Sequence, residues 1–522
     1  MTSSRMMFGV ETELAFTALD KSGSALDREQ VLPFLLGCVA QRLPHLKGET
    51  GCDLFLGNGA RLYIDCGLHP EWATPECTTP AEVVSYLRAG EQILAQAAQE
   101  LERSNRRVAR ALLLKCNVDY VDTSATWGSH ESYLYAGVHP SVLPMQLIPH
   151  LVSRVVFTGA GGLNPKSAGI EFTLSPRVAH LEKEKSTSST DGRGIFHTKH
   201  ESLARNGYHR LHVLAGESLC SQLADYLRVG TTALIVKLVE AGIRPGDDVR
   251  LARPLTAMQD FVADPRCTAL AGMVTGTPRT AIEIQRHYLE QVEAHADAPF
   301  MPAWTEEVCR RWRHVLDGLE TDSGSVGATL DWPIKLSIFK ARARHHGMGW
   351  DILPVWNRVL DSLSETAPTS SAFAASLLQN LRSRGQSVAE ACDSFQALRS
   401  ELCEIDTRFG QLGPDGVFAA MDDAGVLDHR VIDPHQVTHA VYSPPTVGRA
   451  RLRGQQIQQS GSRRSSLKCN WHRIVDDQRG RVLDLSDPFR ERGNAWRAAS
   501  REPRKREAAD PVHRLLEVLL GQ

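Results

Sequence analysis

Two carboxylates at positions i and i+2 of a strand point to the same side, and the stretch MMFGVETELAF offers Glu11 and Glu13 in that spacing, with Val10, Thr12 and Leu14 facing the other way. A second stretch, NGARLYIDCGLHPEWATPEC, sets Arg61, Tyr63 and Asp65 in alternate positions opposite Leu62 and Ile64, with Glu71 just beyond. Carboxylates gathered in this way repel one another more strongly as a site dries, so the cluster calls for a cation. Oxygen-only ligands suit Mg²⁺ rather than zinc. A solvated edge strand is the alternative reading of Glu11 and Glu13. Arg61 fits either an ion pair or a phosphate, which a guanidinium grips through two donors. Asp65 is the candidate base, able to take a proton from an amine, and a buried structural aspartate is the competing reading.

Other chemistry-bearing motifs are weaker. HTKHESLARNGYHRLH carries His197, His200, His209 and His212 as two His-x-x-His pairs, but the polar, turn-like flanks supply no helical frame to converge them on zinc. TGAGG, residues 158–162, lacks both the Lys-Ser/Thr of a phosphate-binding loop and the G-x-G-x-x-G spacing.

Positioning such groups requires strands and helices, and the patterning supplies both. Strands are expected around residues 7–16, at the second stretch, and at 109–118, 168–174 and 208–214; helices are expected at 28–43 and 80–104. QLADYLRVGTTALIVKLVEAG reads as a buried helix stopped by Gly242, and Thr280 with Glu283 forms a capping box ahead of a stripe of Ile284, Tyr288 and Val292. Mixed strands and long helices without regular alternation imply an α+β fold around a largely antiparallel sheet. Residues 363–375 are Ser/Thr/Ala-rich and read as a linker or insertion followed by a helix to about 404. SPPTVGRARLRG suggests a boundary near 450, before a small C-terminal unit ending in the amphipathic helix PVHRLLEVLL.

The bulk numbers bound the possibilities. A chain of 522 residues accommodates a large domain with a smaller appendage. With 59 Lys+Arg against 61 Asp+Glu, the net charge of -2 announces neither nucleic acid nor an anionic membrane as partner. Eleven cysteines with no CxxC pair read as reduced thiols, and no apolar run approaches a membrane span, so a soluble cytoplasmic protein is expected.

Taken together and in order, GVETELA, NGARLYID with HPEWATPEC, KCNVDY, WGSHESYL, YHRLHVLAGES, VGTTALIVKLVEAG, LDWPIKL, RARLRG and LSDPFR resemble the Pup ligase and depupylase family, relatives of glutamine synthetase and of γ-glutamyl-cysteine ligase. The resemblance covers most of the chain and is weakest at 363–404. It implies a glutamine-synthetase-like domain over 1–450, holding ATP and Mg²⁺ against a curved, largely antiparallel sheet, and a small C-terminal domain over 451–522. It also implies that Glu11, Tyr63 and Glu71 bind magnesium, that Arg61, Thr74 and Trp471 contact ATP, that Asp65 is the base, and that His212 lies near the metals. The implied reaction activates the C-terminal glutamate of a small Pup-like modifier as a γ-glutamyl phosphate and joins it to a lysine of a target protein.

Three departures qualify the resemblance. The family's Arg-Asp-Glu-Pro-His stretch is here TKHESLA, with Lys199 in place of the arginine and no proline. The 363–404 insertion is atypical, and WGSHESYL and LDWPIKL are closer to depupylases. Yet depupylases carry a long loop just upstream of NGARLY, and the connection here is too short to hold it, which favours the ligase. A depupylase or deamidase and a small-molecule γ-glutamyl amine ligase are the alternatives. A binding scaffold without catalysis is disfavoured, because a dead site has no need of a buried carboxylate cluster.

Overall fold

In the computed structural model, the residues described are 4–49, 51–65, 67–187, 192–197, 207–321, 323–354, 356–357, 383, 385, 387–460, 466–492 and 496–498. The TKHESLA segment, the 363–375 stretch and the C-terminal PVHRLLEVLL helix expected from sequence lie outside them.

Phe8, Val10 and Thr12 are buried while Gly9, Glu11 and Glu13 are half-buried, so the strand Phe8–Glu13 covers core with one face and opens the other. It sits inside a sheet of 13 strands. On one side follow Pro70–Ala73, Arg61–Ile64, Asp53–Leu56 and His45–Gly48. On the other lie Ser129–Ala136, Tyr208–Val213, Gly194–His197 and Lys183–Ser186. Pairing is antiparallel at every step of this half except the last, which is parallel.

The C-terminal strands extend the same sheet. Leu467–Cys469 lies parallel to His45–Gly48, and Arg473–Asp476, Arg481–Asp484 and Trp496–Ala498 follow antiparallel. Helix Gly448–Ser460 runs across residue 450 and shares a small apolar cluster with Leu46, Phe55, Leu467 and Ile474.

Helices back the other face. Pro80–Ser104 starts under a Thr79 cap and turns Val83, Leu87, Leu94 and Leu101 to the core. Gln222–Glu240 is buried from Gln222 to Val239, and Gly242, at φ 90, closes it as a left-handed stop. The Thr280–Glu283 capping box is formed at the head of Ala281–Glu293.

Two expectations need correcting. The strand expected at 168–174 is only Phe172–Thr173, because Asn357 takes the backbone of Ile170 out of any ladder, accepting from its N–H at 2.8 Å and donating to its carbonyl at 2.9 Å. The second stretch leaves its strand at Ile64, so Asp65 heads a turn instead of sharing the strand face.

Candidate functional site

Antiparallel register lines up one row of polar side chains on the open face. Asp53 opposes Tyr63, Tyr63 opposes Glu71, and Glu71 opposes Glu13; one row along, Arg61 opposes Ala73, Ala73 opposes Glu11, and Glu11 opposes His130. Alternation within each strand does the rest, since every second residue faces the same way.

The rows yield two groups of potential metal donors. Donor atoms of Glu13, Asp65 and Glu71 lie within 4.8 Å of one another, as do those of Glu11, His130 and His212. The first group is all oxygen and negatively charged, the donor set that fits a hard cation such as Mg²⁺. Its electrostatics point the same way: burial, then the charges of Glu11 and Glu13, push Glu71 well above the usual carboxylate range. A cation bound there would take the place of the proton that Glu71 otherwise keeps. Tyr63, hydrogen-bonded to Glu71, is held as a neutral phenol far above its ordinary pKa by burial and by Glu11 and Glu71.

Glu11 behaves differently. Burial favours its neutral form, but the His130 hydrogen bond and positive charge from His212, His130 and Arg210 hold its pKa at about 2. His212 is itself pushed down to about 3, by burial first. At neutral pH it is therefore an uncharged imidazole, 3.4 Å from Glu11 through Nε2 and 3.1 Å from Ser132 Oγ through Nδ1, and the positive charge that favours ionised Glu11 there comes from Arg210.

Asp65 divides its two oxygens between two tasks. Oδ1 accepts from the backbone N–H groups of Gly67 at 2.9 Å and His69 at 2.8 Å, closing a turn in which Leu68 takes the left-handed φ of 58. Oδ2 stands 3.4 Å from His69 Nδ1. A carboxylate clamped through one oxygen keeps its orientation while the other remains able to accept a proton.

An open cleft of about 660 Å³, solvent included, adjoins Glu11 and is lined by Gly9, Thr74, Glu76, Arg449 and Trp471 among others. Thr74 accepts from Val10 N at 3.1 Å. Trp471 stands edge-on to Phe55 at 5.3 Å under the Arg453 guanidinium at 4.8 Å. Glu76 is shared by Arg449 and Arg453, each at 2.5 Å, and despite burial these two cations hold it at about 2. Among the lining residues Arg210 and Arg449 match Glu11 and Glu76, with Arg453 buried behind Glu76, so the wall offers guanidinium groups able to meet an anionic ligand.

The structure therefore brings Glu71, Tyr63 and Asp65 together and turns Glu11 towards the histidines. It seats Thr74 and Trp471 in one cleft across roughly 400 residues of chain. Arg61 is anchored to buried Asp53, with Nε and Nη2 both at 2.7 Å, and its guanidinium lies 4.2 Å from the Tyr63 ring centroid. It is not among the residues lining the cleft. Of the His-x-x-His residues, His209 packs on Tyr135 while His197 and His212 meet at 6.0 Å, and His200 lies outside the described residues. The i, i+2 pattern put Glu13 in the carboxylate cluster but the resemblance left it out of the ligand set, and sequence reasoning did not place His130, Arg177, Glu76, Arg449 or Arg453 in the site. The alternation of Ser129-His130-Glu131-Ser132 and the i, i+4 spacing of Arg449 and Arg453 were signals for three of them.

The chain matches the Pup-ligase protein family over residues 7–353 and 350–475. It is 30% identical to a Pup–protein ligase of Acidimicrobium ferrooxidans, across 93% of this chain and 96% of that one. It is also 32% identical to a Pup deamidase/depupylase of Mycobacterium tuberculosis, across 83% and 77%. The crystal structure of Pup bound to its ligase PafA superposes with a TM-score of 0.73 at 22% identity, covering 99% of this chain and 93% of that one. Pup ligase PafA in complex with ADP gives 0.69 at 23% identity, covering 95% and 94%. These two likenesses establish the fold.

Proposed function

The chain belongs to the Pup-ligase family, and from that premise we propose that it is an ATP-dependent ligase joining the C-terminal glutamate of a small Pup-like modifier to a lysine of a target protein. The observation that carries the chemistry is the half-free Asp65, whose donor oxygen lies within 4.8 Å of those of Glu13 and Glu71. The ligase direction is supported by the extent of the match, which covers 93% of this chain and 96% of the ligase relative but 83% and 77% with the depupylase. The depupylase relative, at slightly higher identity, keeps hydrolysis as the second reading.

In this reading Glu13 and Glu71 would hold Mg²⁺, with Tyr63 steadying Glu71, Glu11 completing the charge and the free oxygen of Asp65 left beside the metal as the base. When bound, the metal supplies positive charge against the phosphates. The cleft beside Glu11 receives ATP, with Thr74 and Trp471 as its contacts and Arg61 at the adjoining rim. The modifier's glutamate takes the γ-phosphoryl group as ADP departs, and the lysine amine then attacks the acyl carbon as phosphate departs. Asp65 accepts the proton that the amine loses. The division into a catalytic part, 1–450, and a small part, 451–522, belongs to the same proposal, with the small part lending Trp471 to the cleft.

The test is to incubate the purified chain with ATP, Mg²⁺, a Pup-like modifier ending in Glu and a lysine-bearing acceptor. One ADP per conjugate is the expected result. Failure to conjugate, together with release of modifier from a preformed conjugate, would favour the hydrolase.

A further inference from the structure

Arg177 is 3% exposed, and among the described residues no carboxylate lies within ion-pair distance of its guanidinium. A buried cation with no carboxylate in direct contact is costly, and the nearby charges of Glu13 and Glu217 do not offset its burial in full, so its contacts explain its presence. Nη1 donates to Thr126 Oγ1 at 2.9 Å and Nη2 to the Leu214 carbonyl at 3.3 Å. The same Nη2 stands 3.5 Å from His130 Nε2. The backbone is fixed as well: Arg177 N donates to Glu217 Oε1 at 2.9 Å, while Ala160 N donates to Glu217 Oε2 at 2.7 Å.

A guanidinium can only donate. His130 Nε2 must therefore accept, and a neutral imidazole that accepts at Nε2 carries its proton on Nδ1. That proton points at Glu11 Oε1, 3.3 Å away. Gly128 leaves room for the arrangement, since a Cβ there would come within 2.6 Å of both Arg177 Nη2 and His130 Nε2.

We propose that Arg177 is a positioning residue that locks His130 in the Nδ1–H tautomer, so that His130 supports Glu11 through a hydrogen bond and does not ligate a cation. Ligation through Nδ1 would need the proton moved to Nε2, setting two N–H groups against each other across the Arg177 contact. The group Glu11, His130 and His212 thereby loses a nitrogen ligand, and cation choice falls to the oxygens of Glu13 and Glu71. That last consequence rests on the proposed divalent-cation site; the tautomer does not.

The test is ¹⁵N NMR of the histidine-labelled, metal-free full chain at alkaline pH, with the His130 signals identified by their loss in His130→Gln. The expected spectrum has Nδ1 protonated and Nε2 bare. Arg177→Met should give a tautomer mixture and raise the Mg²⁺ concentration needed for half-maximal thermal protection by roughly 10–100-fold, the scale for lost outer-shell support. Arg177→Lys, which keeps charge and a donor, should fall between. Nε2 protonation in the unaltered chain overturns the proposal without any variant, and so does an unchanged tautomer in folded Arg177→Met. A locked tautomer with no Mg²⁺ protection in the unaltered chain would instead leave the lock standing and remove the cation site.

Discussion

The two faces of the central strands treat carboxylates in opposite ways. On the helix-covered face, Glu131 is 0% exposed but meets Arg154, at 2.9 Å through Nη1 and 2.5 Å through Nη2, and Asp225 is held by Arg88 and Arg228. On the open face, one strand away, Glu13, Asp65 and Glu71 crowd together, and among the described residues no arginine or lysine pairs with them. Burial works against the anion in both places, yet the Arg154 charge and hydrogen bonds bring Glu131 below its ordinary pKa while Glu71 is driven above it. A buried carboxylate with its own arginine is holding the fold together. One such as Glu71, whose charged neighbours are other carboxylates, is suited to receive a cation from solution.

The contrast breaks most visibly if a compensating cation is removed. Arg154→Met should cost about 3–5 kcal/mol, because Glu131 would be left buried and unpaired. Chemical denaturation read at two wavelengths measures it, and a loss below about 1 kcal/mol would mean that the two faces do not differ as described.

Asp65→Asn should leave folding and ATP binding near normal while conjugation falls by roughly a hundredfold or more, the scale for a lost general base. The competing outcome, a lower melting temperature with normal turnover per folded molecule, would make Asp65 only the head of its turn.

Glu71→Gln replaces a carboxyl group that burial and crowding already drive towards its neutral form, so the metal-free chain should be about as stable as the parent, while stabilisation by ATP with Mg²⁺ disappears. At a hundred times the dissociation constant that stabilisation is about 2.7 kcal/mol in the parent. A melting series with and without Mg²⁺ separates the two effects.

The pH response sharpens the comparison further. The folded pKa of Glu76 lies below its unfolded value, so its contribution is present above about 4.5 and lost as pH falls towards about 2. Glu71 has the opposite sign. Its folded pKa lies above the unfolded one, so its effect is to lower stability as pH rises from the ordinary carboxylate range through the raised value. Mg²⁺ should flatten the second slope and leave the first unchanged, and melting temperatures across that range would reveal a shared slope if the distinction is false. The smallest expected signal is a change in tryptophan fluorescence on adding ATP that Trp471→Phe removes.

Much of this was legible in sequence, for reasons that are local. Period-two alternation set Glu11 and Glu13 on one face, and the helix Pro80–Ser104 and the Thr280 capping box depend on neighbours within a few residues. The Asp65 turn was hidden because it is closed by a side chain bonding its own backbone, which the alternating pattern conceals. The division of the carboxylates into an oxygen cluster and a histidine-supported Glu11 was hidden for a different reason. It follows from register between strands more than a hundred residues apart, as with Glu11 opposite His130, and no local pattern encodes register at that distance.

The parallel pairing of Cys469 with Gly48 carries a consequence of timing. A ribosome delivers Trp471 roughly 460 residues after Glu11, which at about 5–20 residues per second is on the order of half a minute to a minute and a half. Throughout that interval the nascent chain has its carboxylate row but lacks the tryptophan wall of the cleft. On the proposed reading, the nucleotide cleft is complete only once Trp471 has been made.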